Sequence, residues 1–476
     1  MKNLTKDLHQ IPNRPIKIMQ FGEGNFLRAF VDDFIQNLND QKLINAGVVV
    51  VQPMPFGRVD EMQKQDGLYT LFLEGLQDGK VIKGHRVIDV LNDFVNPYTQ
   101  LDKFLEYAKK PELEIIFSNT TEAGIVYLEE KISPIQTPES FPGKLLLFLK
   151  TRFESNLAPL EIVPCELIDY NGDELKEVLV RLASYNEYSQ DLIDWIKNEN
   201  KFYNTLVDRI VPGYPVDQAK ELQNELGYID NSMVKGEIFH LWVIQGPNTL
   251  SEKLPFAKSG LNVHFVESIV PYKQRKVKIL NGSHTAMVPI AYLDNIKAVK
   301  EAVNDELVGK FVKSFIYDEV VPTIDLPKAD MIAFSESVIE RYQNPFVHHL
   351  LMSIALNSIA KFKSRILPTI EDLNQKGKFA SYSLFTLASL IRFYKGTDLD
   401  GNVIDIKDDQ EFLELFKNAW SNKNYQDVAS KVLTINFWES DLLKEQKIID
   451  YVAKVLELID TNGMKVALEH LFEGKI

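Results

Sequence analysis

Only one cysteine, Cys165, stands in the 476 residues, so neither an intrachain disulfide nor a multi-thiolate zinc site can form. No stretch of about 18 uncharged apolar residues is present to span a bilayer, and the N-terminal run MKNLTKDLHQIPNRPIK has no apolar segment of signal-peptide type. The eight histidines show no HExxH or comparable spacing, and the adjacent His348 and His349 point to different helix faces. Metal catalysis therefore has no support, and the expected metal set is empty. Basic residues are in deficit, 53 Lys and Arg against 67 Asp and Glu, giving a formal net charge of −14. That balance argues against nucleic acid, whose phosphates need clustered cations. The expectation is a soluble, cytoplasmic protein with a small-molecule partner and no membrane or nucleic-acid partner.

What is present is apolar residue in ordinary amount, 45%, on a chain too long for one typical core. In the first half, short apolar runs at Ile16–Phe21, Gly47–Val51, 114–118 and 160–164 alternate with amphipathic patterns such as 27–38 and Leu101–Ala108. Strands separated by helices imply parallel β-α-β units, and GVVVV, apolar without alternation, suits a strand buried on both faces. Further runs at 239–245 and 262–267 predict a sheet continuing to about residue 270. Beyond Pro271 the segments 305–321, 346–362, 382–394 and 442–458 carry helical periodicity with few strand signals. The predicted fold is α/β: a Rossmann-like domain over 1–270 with a mainly parallel sheet, then an all-α domain over 271–476 with substrate-binding and catalytic roles.

The turn after the first strand reads QFGEGNFLRAF. Gly22 and Gly24 between a strand and a helix let the backbone turn tightly and approach a pyrophosphate, which free N–H groups at a helix start can hold. Leu27 occupies the place of a third glycine, and a loop needing positive φ is the bland alternative. The second strand ends in Gln52 and Pro53, without the acid that would meet an adenosine ribose, while Arg58 lies close enough to meet a phosphate.

KVKILNGSHTA, opening the helical half, places Lys276, Asn281 and His284 within an arc of roughly 140° on a helix. Such residues also share ordinary solvated faces. Here Val277, Ile279, Leu280, Met287, Val288 and Ile290 leave little surface made for water. Polar groups on a buried helix must satisfy one another or meet a ligand, since each unpaired buried atom costs about 1–3 kcal/mol.

These stretches, with FSNTTEAG, PCELIDYNG, TLVDRIVPGYP, VIQGP and NPFVHHLLMSIALNSIAKF, resemble the mannitol dehydrogenase family, the polyol-specific long-chain dehydrogenases, over nearly the whole chain. The family's Lys-x4-Asn-x2-His pattern falls on Lys276, Asn281 and His284. The resemblance implies a site between the two domains, with Lys276 as general acid/base, its pKa depressed by burial and by Lys273, Arg275 and Lys278. Asn281 would donate to the developing alkoxide, and His284 would fix the substrate oxygen or orient Lys276. It implies NAD as cofactor, held by Phe21, Gly22, Glu23, Gly24, Asn25, Phe26, Arg28 and Thr121. Asn171, Asp208 and Lys361 would meet the substrate, although Leu167 departs from the family pattern beside Asn171, and Asp208 with Arg209 reads equally as a structural ion pair. For Arg365, one turn beyond Lys361, a solvated helix end is the favoured reading. The implied reaction interconverts tagaturonate and altronate in hexuronate catabolism, by a monomer or homodimer. The alternatives are fructuronate and mannonate, a neutral polyol such as mannitol, or a nucleotide-binding regulator without turnover.

Overall fold

The computed structural model describes residues Met1–Ile476 apart from Glu122, Asn422 and Lys423. The chain divides into two compact units, Met1–Gly75 with Val81–Ile269, and Leu76–Lys80 with Val270–Ile476. The strands that shape the first unit are β1 (Ile16–Phe21), β2 (Gly47–Val51), β3 (Tyr69–Gln77), β4 (Lys80–Ile88), β5 (Leu91–Val95), β6 (Ile115–Ser118), β7 (Glu161–Pro164) and β8 (Lys201–Phe202). Six of them form a parallel sheet in the order β5-β2-β1-β6-β7-β8. Counted among themselves, these strands run 3-2-1-4-5-6, the order of a doubly wound dinucleotide-binding sheet.

The unalternating GVVVV of β2 is explained by burial on both faces. Val48 and Val50 enter one apolar core with Ile18, Phe30 and Trp242, while Val49 and Val51 enter the other with Met19, Phe21 and Phe104. The predicted continuation of this sheet to residue 270 is corrected. β9 (Asn204–Asp208), β11 (Leu241–Gln245) and β12 (Val263–Val266) form a separate three-stranded sheet in the order β9-β11-β12, and β10 (Val234–Glu237) pairs with β3 in another. The predicted helix 27–38 is in fact two, α1 (Asn25–Arg28) and α2 (Val31–Asp40), because Phe30 takes φ −129° and ψ −78° and breaks the ladder.

The second unit is helical. It begins with α3 (Val270–Arg275), passes through a π-helical segment, Lys276–Asn281, and continues as α4 (Gly282–Leu293). α4 is apolar on nearly every side and mostly buried, as a core helix must be. Around it lie α5 (Lys328–Tyr342), α6 (Leu351–Ile354), α7 (Ser358–Arg365) and α8 (Ser381–Phe393). The predicted single helix from 346 is broken into α6 and α7 at Asn357, which adopts φ +51°, a left-handed conformation that asparagine tolerates better than most residues. Among the described residues, no helix is long and apolar enough to cross a membrane.

Candidate active site

In the first unit the chain leaves β1 through Gly22, at φ +117°, whose N–H donates to the Val51 carbonyl at 3.0 Å. A Cβ here would lie 2.8 Å from the backbone oxygen of Asn119, in the loop that follows β6. Glycine is thus required both by conformation and by the close approach of two loops. Gly24 differs: at φ −67° it has ordinary backbone, and nothing lies within 4 Å of a would-be Cβ. Open space above Gly24 and the lack of a side-chain cap on α1 fit a backbone that meets a ligand's phosphates.

Glu23, between the glycines, turns its carboxylate toward the loop after β2 and accepts the Arg58 N–H at 3.2 Å. A side chain at Gly57 would collide with both Glu23 and Gln52, so the Glu23 carboxylate sits beside the end of the second strand, where the sequence lacks an acid. Burial raises its pKa, against the pull of the Arg58 backbone N–H and the charges of Arg28 and Arg58. The Arg58 guanidinium is engaged by Glu61 at 3.0 Å and the Asn231 carbonyl at 2.8 Å. Past the ends of β2 and β5 opens a cleft of about 860 Å³ lined by Met54, Phe56, Tyr98, Thr99, Ile135 and Thr137, among others. Phe56 and Ile135 are 75% and 89% exposed, which leaves an apolar rim open to a planar ligand.

Four of the expected cofactor residues have other surroundings. Arg28 is buried and donates to the carbonyls of Glu23 and Ser232 and to the Asn25 side chain, with its guanidinium over the Tyr69 ring. Its expected contact with cofactor is corrected: it braces the glycine loop from behind. Phe21 is wholly buried against Phe104 and Phe141, so only its backbone borders the turn. Phe26 stacks on Phe30 with ring centroids 5.0 Å apart. Thr121 is exposed at φ +71° in the loop after β6.

Asn171 has no exposed surface. Its amide donates to the carbonyls of Pro164 and Glu166 and to Thr205 Oγ1 at 3.0–3.1 Å, and its oxygen accepts the Thr205 N–H at 2.8 Å. The side chain staples β7 to β9, and the expected substrate contact is corrected on that ground. Asp208 is buried at the end of β9, while Arg209 pairs with Asp33 at 2.8 Å, so the structural ion pair joins different partners from those expected.

In the second unit, the π segment changes the geometry of the Lys-x4-Asn-x2-His pattern. In an α-helix, residues five apart lie about 140° out of phase. The i→i+5 pairing of Lys276–Asn281 instead sets Lys276 and Asn281 about one turn apart on one face. A change of pairing disturbs the carbonyls at the junction, and here hydroxyls receive them. Tyr342 donates to the Leu280 carbonyl at 2.6 Å, and Ser283 donates to that of Ile279. Lys276 is half-buried. Of the cations expected to crowd it, Lys278 is paired with Asp372 at 2.6 Å, and Arg275 lies over the rings of Tyr272 and Phe334.

His284 stacks on Tyr342 at 4.4 Å and meets His349 edge-on at 5.2 Å. Its Nε2 is buried and has no hydrogen-bond partner among the described residues. Burial drives the imidazole pKa well below its usual range, and the nearby charges of His349, Arg341, Arg365 and Lys361 push in the same direction. The ring is therefore neutral near pH 7. A neutral imidazole with an unsatisfied nitrogen, sharing a helix face with Lys276 and Asn281, is suited to holding a substrate oxygen by a hydrogen bond while a different group moves the proton.

Two family models cover most of the chain: the mannitol dehydrogenase Rossmann domain matches residues 16–258, and the mannitol dehydrogenase C-terminal domain matches 268–460. The chain belongs to the mannitol dehydrogenase family. Curated relatives named altronate oxidoreductase include those of Halalkalibacterium halodurans, 40% identical over 95% of this chain and 93% of the relative, and Yersinia enterocolitica, 41% identical over 98% and 99%. The fold is shared with a D-sorbitol dehydrogenase in substrate-free form, at TM-score 0.83, 21% identity, and 98% and 100% coverage. It is also shared with the Pseudomonas fluorescens mannitol 2-dehydrogenase ternary complex with NAD and D-mannitol, at TM-score 0.67, 21% identity, and 99% and 100% coverage. This mannitol dehydrogenase family member is thus an oxidoreductase with a Rossmann domain and a helical C-terminal region.

Two residues with clear tasks in this family member escape sequence reasoning. Glu166 is buried and accepts from Ser118 Oγ at 3.0 Å and from the N–H and hydroxyl of Thr120 at 2.9 and 3.0 Å, pinning the loop that Gly22 approaches. Tyr342 holds the π segment and backs His284. Both act on residues far away in sequence, and no local pattern marks either.

Proposed function

We propose that this chain reversibly reduces tagaturonate to altronate with NADH, with Lys276 as general acid/base, in hexuronate catabolism. The observation that carries the reading is the buried, unpartnered Nε2 of His284 on one helix face with Lys276 and Asn281. The substrate comes from the altronate oxidoreductase names of relatives about 40% identical over nearly their whole length. When bound, a nicotinamide cofactor supplies or accepts the hydride.

The residues of the chain handle everything else. Lys276 gives its proton to the carbonyl oxygen in reduction and takes it from the hydroxyl in oxidation. The Asn281 amide donates to the oxygen as negative charge develops there, and the neutral His284 ring bonds a substrate hydroxyl through Nε2. Lys361, half-buried with Nζ donating to the Ile354 carbonyl at 2.8 Å, contacts a substrate oxygen. Backbone at Gly22 and Gly24 receives the pyrophosphate, and the cleft bordered by Phe56 and Tyr98 receives the adenine. Glu23 stands in for the missing acid of the second strand. Its carboxylate there, with Arg58 committed to Glu61 and Asn231, supports NADH over NADPH.

The test is turnover of purified protein with NADH or NADPH against tagaturonate, fructuronate and fructose. The highest kcat/KM is expected for NADH with tagaturonate. A higher value for fructuronate replaces the substrate, a higher value for NADPH replaces the cofactor, and no turnover with any pair makes the chain a binding protein. Lys276→Met should lower kcat by roughly 10²–10⁴-fold or more while NADH still binds. Near-normal turnover in that variant removes Lys276 from the chemistry.

A further inference from the structure

A sugar acid differs from a neutral sugar by one carboxylate, and the second unit contains a half-buried guanidinium with no acidic partner among the described residues. Arg365 is the last residue of α7, and the usual expectation for such a position is a side chain lying in water over its own helix end. The structure places it elsewhere. Its Nη1 donates to Thr285 Oγ1 at 3.1 Å, on α4, one residue beyond His284. Thr285 in turn donates to the Asn281 carbonyl at 2.9 Å, so the guanidinium is tied through a single hydroxyl to the turn that carries Asn281 and His284. The end of α7 lies against α4 there: a Cβ on Gly282 would be in ordinary van der Waals contact, 3.5 Å, with the Arg365 carbonyl oxygen. A hydroxyl offers no charge to balance a guanidinium withdrawn from water.

We propose that Arg365 is the group that recognises the substrate's carboxylate, with Thr285 holding it in place, a role that rests on the sugar-acid reading of this site. A guanidinium presents paired N–H groups in the fork geometry that a carboxylate accepts, which an ammonium does not. Lys361 lies one turn earlier on α7, and each cation lowers the proton affinity of its surroundings. Lys361 is depressed by burial and by the charge of Arg365, and both act on His284. An arriving carboxylate relieves this mutual repulsion, whereas a neutral polyol leaves it in place. Lys361 already has the Ile354 carbonyl as a partner at 2.8 Å and is assigned to a hydroxyl common to acid and neutral substrates.

Arg365→Met and Lys361→Met are to be compared on tagaturonate and on D-tagatose, its neutral counterpart, with melting curves to verify folding. Arg365→Met should lose roughly 10- to 150-fold in kcat/KM on tagaturonate and much less on tagatose, the range for one charge-assisted hydrogen bond. Lys361→Met should lose similarly on both. Arg365→Lys should recover part of the acid preference, and it serves as the test variant if Arg365→Met fails to fold. Equal losses on both substrates in the Arg365 variants, or an acid-selective loss confined to Lys361→Met, overturn the assignment. If the wild type instead prefers fructuronate, the substrate named above is wrong, and Arg365 must then discriminate fructuronate from fructose. Calorimetric titration with altronate and altritol in saturating NAD⁺ decides the matter without turnover: wild-type affinity no greater for altronate than for altritol also overturns it.

Discussion

Gly22→Ala offers a test of the glycine turn that depends on backbone geometry alone. At φ +117° an alanine is held in a region that non-glycine residues populate at a cost of about 1–3 kcal/mol. The new methyl also lies 2.8 Å from the Asn119 carbonyl oxygen, and that oxygen has little freedom to retreat. Asn119 N–H donates to the Phe21 carbonyl at 3.1 Å, its side chain donates to the Cys165 carbonyl at 2.8 Å, and the next residue is fastened by Glu166. Overpacking against such a wall adds about 1–3 kcal/mol. The sum, about 2–6 kcal/mol, corresponds to a melting midpoint lowered by roughly 4–20 °C for a unit of this size. Scanning calorimetry measures the midpoint, and NADH titration by fluorescence measures whether the displaced loop still binds. Gly24→Ala is the control, because its backbone is ordinary and its surroundings are open, so the midpoint should hardly move. A Gly22→Ala protein that melts with the wild type refutes the argument from close approach and positive φ.

Three further outcomes are expected. Asn171→Ala leaves the buried Thr205 N–H without its partner, while the Pro164 and Glu166 carbonyls keep Thr205 Oγ1 and the Ile168 N–H, so it should cost about 1–3 kcal/mol and lower the melting midpoint; a fall in kcat/KM at an unchanged midpoint would restore Asn171 as a substrate contact. Glu319, buried and bonded to the backbone of Tyr382 and Ser383, has its pKa pushed up from 4.5 to about 7, with burial as the main cause. Its stabilising contribution is present below pH 4.5 and is lost as pH rises through 7, so Glu319→Gln should gain on the wild type by about 2–3 kcal/mol between pH 5 and 8; parallel urea-midpoint curves would contradict this. Cys165 is wholly buried, and burial with the nearby Glu166 raises its thiol pKa well above the usual range, so thiol reagents should label it only on unfolding; rapid labelling of the native protein would count against the packing of β7.

The parts of the fold visible in the sequence are those that depend on neighbours in the chain. GVVVV announces a strand buried on both sides, QFGEG announces the tight turn, and the Lys276, Asn281 and His284 spacing announces a polar set on an apolar helix. The remainder depends on contacts between distant residues. Nothing local shows that 204–208 and 241–245 pair with each other rather than extend the main sheet, or that β3 and β4 intervene before the third strand of that sheet. The helical periodicity of 346–362 was real, but periodicity does not report the left-handed turn at Asn357. At the site, residue types indicate a polar set on one helix, but not which distant groups surround it. The adjacent Lys278 is paired with Asp372, while the charges acting on His284 come from His349, from Arg341 on α5, and from Arg365 and Lys361 on α7.

The π segment also bears on how insertions and deletions should be read here. An α-helix that acquires one residue must rotate everything beyond it by about 100°, unless the extra residue is absorbed as a bulge. Lys276–Asn281 is such a bulge, so two faces that would otherwise fall out of phase stay aligned, and a five-residue spacing in sequence acts as a single turn in space. A homologous helix shortened by one residue between Lys276 and Asn281 could present the same two groups without the bulge. The phase of the segment is kept by the Tyr342 hydroxyl on Leu280, 62 residues away in the chain. Side-chain alignment at this end of the helix is therefore a tertiary property, and a gap in an alignment here need not mean a lost site.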